Sequence, residues 1–180
     1  MSSPDLMPDK NQSSLVSNSI MSTPQSVTLR PATADDEGFL RQVFASTREA
    51  EFSILPEPQR EMLIAMQFNL QRQQYSAGYP QAEHNIILLD DVAVGRLLVD
   101  EADREIALVD IALLSEYRNQ GIGTYLLDQL LARGQKANKA VRLHVFKTNP
   151  ARLLYERLGF SKIGDDGMYL EMLCPAGVKS

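Results

Sequence analysis

The chain has too few cysteine and histidine residues for a disulfide framework or a conventional zinc site. Its one cysteine, Cys174, has no intrachain partner, and its two histidines, His84 and His144, do not stand at a metal-binding spacing. We therefore expect no disulfide and no metal ion. A single thiol is compatible with a reducing compartment.

Long apolar runs and an excess of basic residues are also absent. No stretch reaches the length that spans a bilayer, and the N-terminus lacks the apolar segment of a signal peptide. These absences predict a cytoplasmic protein that does not enter a membrane. The 18 basic and 23 acidic residues give a net charge of -5, which argues against nucleic acid as a partner and fits a cationic one.

The composition predicts one folded domain between two tails. A chain of 180 residues with 44% apolar residues can bury one substantial core. Residues 1–25 are rich in serine and show no helical or strand period, which predicts a disordered tail. We expect the domain to span residues 26–174 and a short tail to span 175–180. Met21 leaves a later translation start open.

The periodicity of the first half predicts two helices and four strands. A strand at 27–30 precedes a capping box from Thr33 to Asp36, which begins a helix. A second helix over about 57–74 carries a predicted core face made of Met62, Leu63, Met66 and Leu70. Strands over 85–89, 92–99 and about 106–114, separated by charged turns, form a predicted antiparallel meander.

The second half alternates helices with strands. A helix with an inner face of leucines at 126, 127, 130 and 131 is predicted to end at Gly134, and a strand follows over 141–145. Asn149 and Pro150 predict an N-cap and the first helical residue of another helix, which Gly159 stops. A hairpin over 161–173 closes the domain.

Residues 117–123 form the most informative motif, an Arg-x-x-Gly-x-Gly turn between a strand and a helix. Glycines at 121 and 123 let backbone N–H groups approach an anion at the positive end of the helix dipole. The spacing is not the dinucleotide fingerprint, because Leu126 replaces its third glycine. We call residues 118–124 the phosphate cradle. Its natural ligand would be a cofactor that carries a pyrophosphate, and ordinary turn and capping geometry stays open as the alternative use of two glycines in such a loop.

Together, residues 117–123 and 149–160 resemble the GNAT superfamily of N-acetyltransferases. The resemblance covers about residues 27–173, and both motifs stand in the family's order. It implies an α+β fold in which helices flank a mixed, mostly antiparallel sheet. This sheet is splayed like a V where the strands that end near Leu114 and Phe146 separate.

The resemblance also implies acetyl-CoA as co-substrate and assigns residues to it. Backbone groups of Leu113 and Leu114 are expected to bind the acetyl and pantetheine amides, with an amide near Leu114 stabilising the oxyanion. Asn149 and Tyr155 are expected near the thioester. The pyrophosphate is expected to bind the cradle residues Arg118, Asn119, Gln120, Gly121, Ile122, Gly123 and Thr124.

Direct acetyl transfer to an amine through a tetrahedral intermediate needs an acid and benefits from a base. Tyr155 matches the tyrosine that many relatives use as the acid toward the leaving thiolate. Asp110, which interrupts an apolar strand, and His144, on the strand face opposite Val141, Leu143 and Val145, are the two candidate bases. Transfer of the proton through water is a third possibility.

The resemblance implies that the acceptor is a primary amine of a small molecule, a peptide or a protein. Plausible lining residues lie on the first two helices and the last hairpin: Arg48, Glu51, Phe52, Tyr75, Tyr79 and Met168. Glu49, Glu51 and Glu57 are candidates for attracting a cationic amine. A catalytically silent acyl-CoA-binding module and a longer acyl donor stay open as alternatives. Either a monomer or a homodimer fits the sequence.

Overall fold

The computed structural model describes residues 26–177, so the tail predicted over 1–25 lies outside the described residues. Within residues 26–177, seven strands, four helices and two short 3-10 turns follow one another. The strands are β1 (Val27–Pro31), β2 (Glu83–Leu89), β3 (Val92–Glu101), β4 (Glu105–Leu113), β5 (Ala140–Phe146), β6 (Ser161–Asp165) and β7 (Tyr169–Cys174). The helices are α1 (Glu37–Phe52), α2 (Glu57–Gly78), α3 (Ile122–Ala137) and α4 (Arg152–Arg157).

All seven strands form one sheet in the order β1-β2-β3-β4-β5-β7-β6. Every neighbouring pair is antiparallel except β4 and β5, which are parallel. This parallel pair is short, because its register runs only from Glu105 opposite Ala140 to Leu108 opposite Leu143. Beyond these residues both strands continue without pairing to each other. This gap, the sheet split, is the predicted V, and the predicted meander and hairpin are also present.

The sheet has an apolar layer on each face. Leu126, Leu127, Leu130 and Leu131 of α3 are buried against strands β3, β4 and β5, as their spacing predicts. On the other face α1 and α2 form a second layer, in which the rings of Phe44 and Phe68 lie 5.8 Å apart. Burying each large apolar side chain contributes about 1.5–3 kcal/mol. The two layers hold the edges of the sheet split in place from both sides.

The prediction for the core face of α2 is wrong. Met62, Met66 and Leu70 are more than half exposed, and the buried side chains are Ile64 and Phe68. Both sets repeat every four residues, so α2 has apolar stripes on nearly opposite sides. The stripe with Phe68 packs on α1 and β2, and the stripe with the methionines has no protein layer over it within residues 26–177 and stays exposed.

Two predicted helix ends also differ from the structure. Gly134 lies inside α3, where a Cβ would come within 2.9 Å of Lys139 O and Val141 Cγ2, so this glycine serves close packing. The helix ends instead at Asn138, whose φ of 54° is left-handed. Asn149 Oδ1 accepts the Ala151 N–H at 2.9 Å and forms an extra turn there, so α4 begins at Arg152 and not at Pro150.

Candidate active site

The N-terminus of α3 has the geometry of an anion site. Gly121 is left-handed with φ of 83°, and a Cβ at either Gly121 or Gly123 would meet no atom within 4 Å. Tyr125 donates the first helical hydrogen bond, to Gly121 O at 2.9 Å. The three preceding amides, of residues 122–124, therefore have no acceptor within the helix. An anion fits these donors and the open space beside the glycines.

The Arg118 side chain is occupied within the protein. Its Nε donates to Leu113 O at 3.0 Å, and its Nη2 donates to Ser46 O and Ser46 Oγ, both at 2.9 Å. These bonds fasten the cradle to α1 and to the end of β4. These bonds leave Nη1 as the guanidinium nitrogen that can contact a pyrophosphate while Nε and Nη2 stay engaged.

The backbone of β4 is exposed to the sheet split beyond Leu108. The Leu114 amide, for which a donor role is predicted, already donates to Val94 O at 2.9 Å. Backbone groups alternate sides along an antiparallel strand, so the amides of Leu113 and Ile111 point away from β3 and toward β5. The Leu113 and Ile111 amides, and not that of Leu114, are the donors on the side of the split.

A cleft of about 1020 Å³ opens between the α1–α2 layer and the sheet, at the sheet split. We call it the acceptor cleft. The structure brings Asp110, His144, Asn149 and Tyr155 together on its wall. The other lining residues used below are Arg48, Met66, Gln67, Leu70, Gln71, Gln74, Tyr75, Tyr79, Arg96, Asp100, Glu105, Arg142, Phe146 and Tyr169.

Asp110 is held by a buried arginine. Its Oδ2 lies 2.6 Å from Nη2 of Arg96, whose side chain is only 5% exposed, and the same Nη2 donates to Gln71 Oε1 at 2.6 Å. The Arg96 guanidinium also lies 5.9 Å from the centre of the Tyr75 ring. Neither Arg96 nor Gln71 is among the residues predicted from the sequence. Arg96 did carry a signal, because it interrupts apolar β3 as Asp110 interrupts β4.

Tyr155 is buried at the inner end of the cleft, with its ring edge-on to Phe160 at 5.8 Å. Burial, and after it the negative charge of Asp110, raises the pKa of Tyr155 to about 12. The same two causes, burial first, raise the pKa of Tyr75 above its usual range. Tyr155 is therefore a neutral phenol at physiological pH, and Asp110 lies within electrostatic reach of it.

His144 lies across the split from Asp110. Its side chain is 53% exposed, and its Nε2 lies 3.9 Å from Glu171 Oε1 on the neighbouring strand. The exposed ring has room to rotate toward the cleft. Asn149, just beyond the end of the same strand, has its side-chain oxygen engaged by Ala151, so its amide nitrogen is the group left to contact a ligand.

The predicted acceptor-lining residues divide into two groups. Arg48, Tyr75 and Tyr79 line the acceptor cleft. Phe52 is instead buried in the α1–α2 layer, and Glu51 pairs with Arg48 at 3.1 Å on the surface. Neither they nor Met168, Glu49 and Glu57 are among the lining residues.

Two negative findings concern residues 26–177. No cluster of three or more histidine, cysteine or acidic side chains in this part of the chain is arranged to hold a metal ion. None of its helices is both long enough and apolar enough to cross a bilayer.

Comparison with known proteins identifies the family. Residues 41–160, more than half of the chain, match the model of the acetyltransferase (GNAT) family. A segment of 72 residues is 35% identical to the [ribosomal protein bS18]-alanine N-acetyltransferase of Haemophilus influenzae. That segment is 39% of this chain and 47% of the relative, so the match spans about half of the relative's length.

Solved structures show the same fold. The PaiA N-acetyltransferase of Thermoplasma acidophilum, in complex with coenzyme A, aligns with a TM-score of 0.63 and 19% identity over 83% of this chain and 99% of its own. A GNAT acetyltransferase of Elizabethkingia anophelis with acetyl-CoA bound aligns at 0.54 and 15% identity, over 83% and 97%. The chain belongs to the acetyltransferase (GNAT) family.

Proposed function

We propose that residues 26–174 form an N-acetyltransferase domain that moves the acetyl group of acetyl-CoA to a primary amine in the acceptor cleft. One observation carries this proposal. The sheet split joins the end of β4, where the cradle begins, to the cleft that holds Asp110, His144 and Tyr155. A donor anchored at α3 and an amine in the cleft would therefore meet between the unpaired ends of β4 and β5.

The donor side fits a pantetheine pyrophosphate. Acetyl-CoA, when bound, supplies a thioester that is activated toward an amine. The amides of residues 122–124 would hold the pyrophosphate, and the absence of side chains at Gly121 and Gly123 leaves room for it. The Leu113 and Ile111 amides would bind polar groups of the arm and the charge that develops on the acetyl oxygen. We assign Nε and Nη2 of Arg118 to holding this loop in shape, because Leu113 and Ser46 accept from them, and Nη1 to the pyrophosphate contact.

Tyr155 is the proposed acid. Its raised pKa, to about 12, keeps the phenolic proton in place at neutral pH, and it lines the cleft beside the split. The developing thiolate would receive that proton or a strong hydrogen bond from it. Burial fixes the ring, so little ordering is required when the donor binds.

The proton of the attacking amine has two candidate acceptors. Asp110 lies on the inner wall, fixed by Arg96, and His144 lies at the more open side of the cleft. We favour Asp110 as the group that first binds the ammonium, because an arginine-held carboxylate is a fixed partner for a cation. His144 or a water molecule is then available to take the proton onward.

The acceptor class is drawn from chemistry and from a relative. The matched Haemophilus influenzae enzyme is named for acetylating an alanine of a ribosomal protein. This supports a peptide or protein amine, and the cleft equally admits a small-molecule amine.

The experiment that tests the proposed function compares the wild type with Tyr155→Phe. Release of CoA is followed with acetyl-CoA and a mixture of primary amines, and the acetylated products are identified by mass. We expect amine-dependent turnover in the wild type and a loss of about 10²-fold or more in the variant. A wild type that binds acetyl-CoA, seen as a raised melting temperature, but acetylates nothing would instead be a silent binding module.

A further inference from the structure

We infer that the acceptor is a primary amine that carries a single positive charge on an apolar body, and not a polyamine or a lysine in a basic segment. This inference rests on the proposed function, since it names the substrate class of the same cleft. Two features carry it: an apolar outer wall, and the carboxylate of Asp110 at the inner end.

The outer wall comes from the methionine stripe of α2. Met66 is 58% exposed and Leu70 is 53% exposed, yet both line the cleft. The rings of Phe146 and Tyr169 line the same cleft, with their centres 4.0 Å apart. Exposed aliphatic side chains and half-buried rings that line one cleft favour an apolar ligand there, and methionine adapts to irregular shapes.

The apolar wall, and not the charge of the cleft, disfavours a polycation. Three arginines (Arg48, Arg96 and Arg142) oppose three carboxylates (Asp100, Glu105 and Asp110). The arginines are engaged: Arg48 pairs with Glu51, Arg96 with Asp110, and Arg142 with Glu105 and Glu171. With Glu51 and Glu171 included, five carboxylates stand beside these three arginines, so charge does not oppose a polycation; its second ammonium would instead lose hydration against the apolar wall.

The remaining polar groups are neutral. Gln67, Gln71 and Gln74 of α2 line the cleft beside the apolar wall. Amide side chains bind hydroxyl, carbonyl or amide groups and do not select a cation. Asp110, which Arg96 fixes on the inner wall, is placed to bind the ammonium of an amine whose body lies against the apolar wall.

The test measures kcat/KM for four amines at saturating acetyl-CoA. Two have one charge and an apolar body: phenethylamine and alanyl-phenylalaninamide. The other two are spermidine and a lysine-rich peptide whose N-terminus is blocked. We expect at least one of the first two to exceed both polycations by more than about tenfold. The first pair separates a small-molecule source of the amine from a peptide source.

A matched pair of variants tests the apolar wall. Met66→Gln removes an apolar group from the cleft, whereas Met62→Gln changes the same stripe one turn away, at a residue that is 67% exposed and outside the cleft. We expect Met66→Gln to lower kcat/KM for the preferred apolar amine about three- to tenfold, and Met62→Gln to leave it unchanged. The KM for acetyl-CoA is expected to stay the same in both.

The outcomes separate the two proposals. Preference for spermidine or the lysine-rich peptide, or equal effects of the two methionine variants, overturns the inference while the acetyltransferase proposal stands. If no amine is acetylated although acetyl-CoA raises the melting temperature, the proposed function fails and the inference fails with it.

Discussion

Asp110 and His144 face the same cleft from the two strands that separate. Their surroundings predict that Asp110 contributes more to kcat/KM than His144 does. Asp110 is fixed on the inner wall and raises the pKa of Tyr155, whereas His144 is half exposed. We expect Asp110→Asn to lower kcat/KM about 10²-fold and His144→Ala to lower it less than about fivefold. The measurement is a pH–rate profile of each variant.

The two variants need a folding control, because Asp110→Asn leaves the buried Arg96 without its carboxylate. Melting temperatures of both proteins with and without acetyl-CoA provide it. A larger loss in His144→Ala, together with disappearance of the acidic limb of its profile, would make His144 the base and contradict our assignment.

The Arg30–Asp36 pair predicts a pH-dependent contribution to stability. Arg30 donates to Asp36 at 2.7 and 2.8 Å, and the Thr33 amide donates to Asp36 Oδ2 at 2.8 Å, as predicted for the capping box. The Arg30 bond, then the Thr33 amide, lowers the pKa of Asp36 below its usual range. The stabilisation is therefore present above the unfolded pKa of about 3.9 and is lost as the pH falls below it.

The matching experiment is thermal unfolding of wild type and Asp36→Asn between pH 3 and pH 7. We expect the variant to melt several degrees lower at neutral pH and the difference to shrink below about pH 4. A difference that stays constant over this range would show that the carboxylate's ionisation does not matter.

The residues of the site were only partly predictable from the sequence. Asp110 stood out because a carboxylate interrupts an apolar strand. Arg96 interrupts the neighbouring strand in the same way, but its contacts depend on tertiary structure. The register pairs Asp110 with Leu98 and not with Arg96, and Gln71 comes from α2. The occupied Leu114 amide depends on the same register, which the spacing of residues does not encode.

At the scale of one element, the N-terminus of α3 allows binding to be separated from folding. A Cβ at Gly123 would meet no atom within 4 Å, and its φ is not left-handed, so a side chain is tolerated there. Gly123→Glu places a negative charge at the helix N-terminus, which stabilises a helix but repels a pyrophosphate. We expect an unchanged or higher melting temperature and a Kd for acetyl-CoA that rises at least about tenfold.

Gly123→Gln is the uncharged control for this variant, because it has the same size. By calorimetric titration it is expected to bind acetyl-CoA more tightly than Gly123→Glu. If the wild type, Gly123→Glu and Gly123→Gln all bind acetyl-CoA with the same affinity, the pyrophosphate does not bind at this helix N-terminus.

The packing of α3 on β5 predicts opposite effects of two glycine substitutions. A Cβ at Gly134 would come within 2.9 Å of Lys139 O, whereas a Cβ at Gly38 of α1 would meet no atom within 4 Å. In urea unfolding we expect Gly134→Ala to lose about 1–3 kcal/mol and Gly38→Ala to gain about 0.5–1 kcal/mol. A stabilising Gly134→Ala would contradict the close contact.

Helix ends and helix faces were the weakest predictions for the same physical reason. Gly134 has the sequence pattern of a helix C-terminus, yet its function is to permit close approach of the next strand. The residue with the left-handed backbone that follows the helix is Asn138. The two apolar stripes of α2 are equivalent by period alone, and only the presence of α1 decides which is buried. Tertiary contacts, and not the local sequence pattern, determine where α3 ends and which face of α2 is buried.

At the scale of the whole molecule, the order of elements predicted the fold better than any single period. The strand alternation indicated a meander and a hairpin, and the resemblance of two motifs supplied the mixed sheet and its splay. The place where the sheet separates could not be read from residues 106–114, because both strands continue past it as regular strands. The cleft is therefore a property of the assembled sheet.

The most direct test of the central claim is hydrogen–deuterium exchange of the protein with and without acetyl-CoA. The claim is that the donor lies in the sheet split with its pyrophosphate at α3. We predict slower exchange of the Ile111 and Leu113 amides and of residues 122–124 on binding, with β1 unchanged. Unchanged exchange at both places under saturating acetyl-CoA, or protection confined to another face, would contradict the claim.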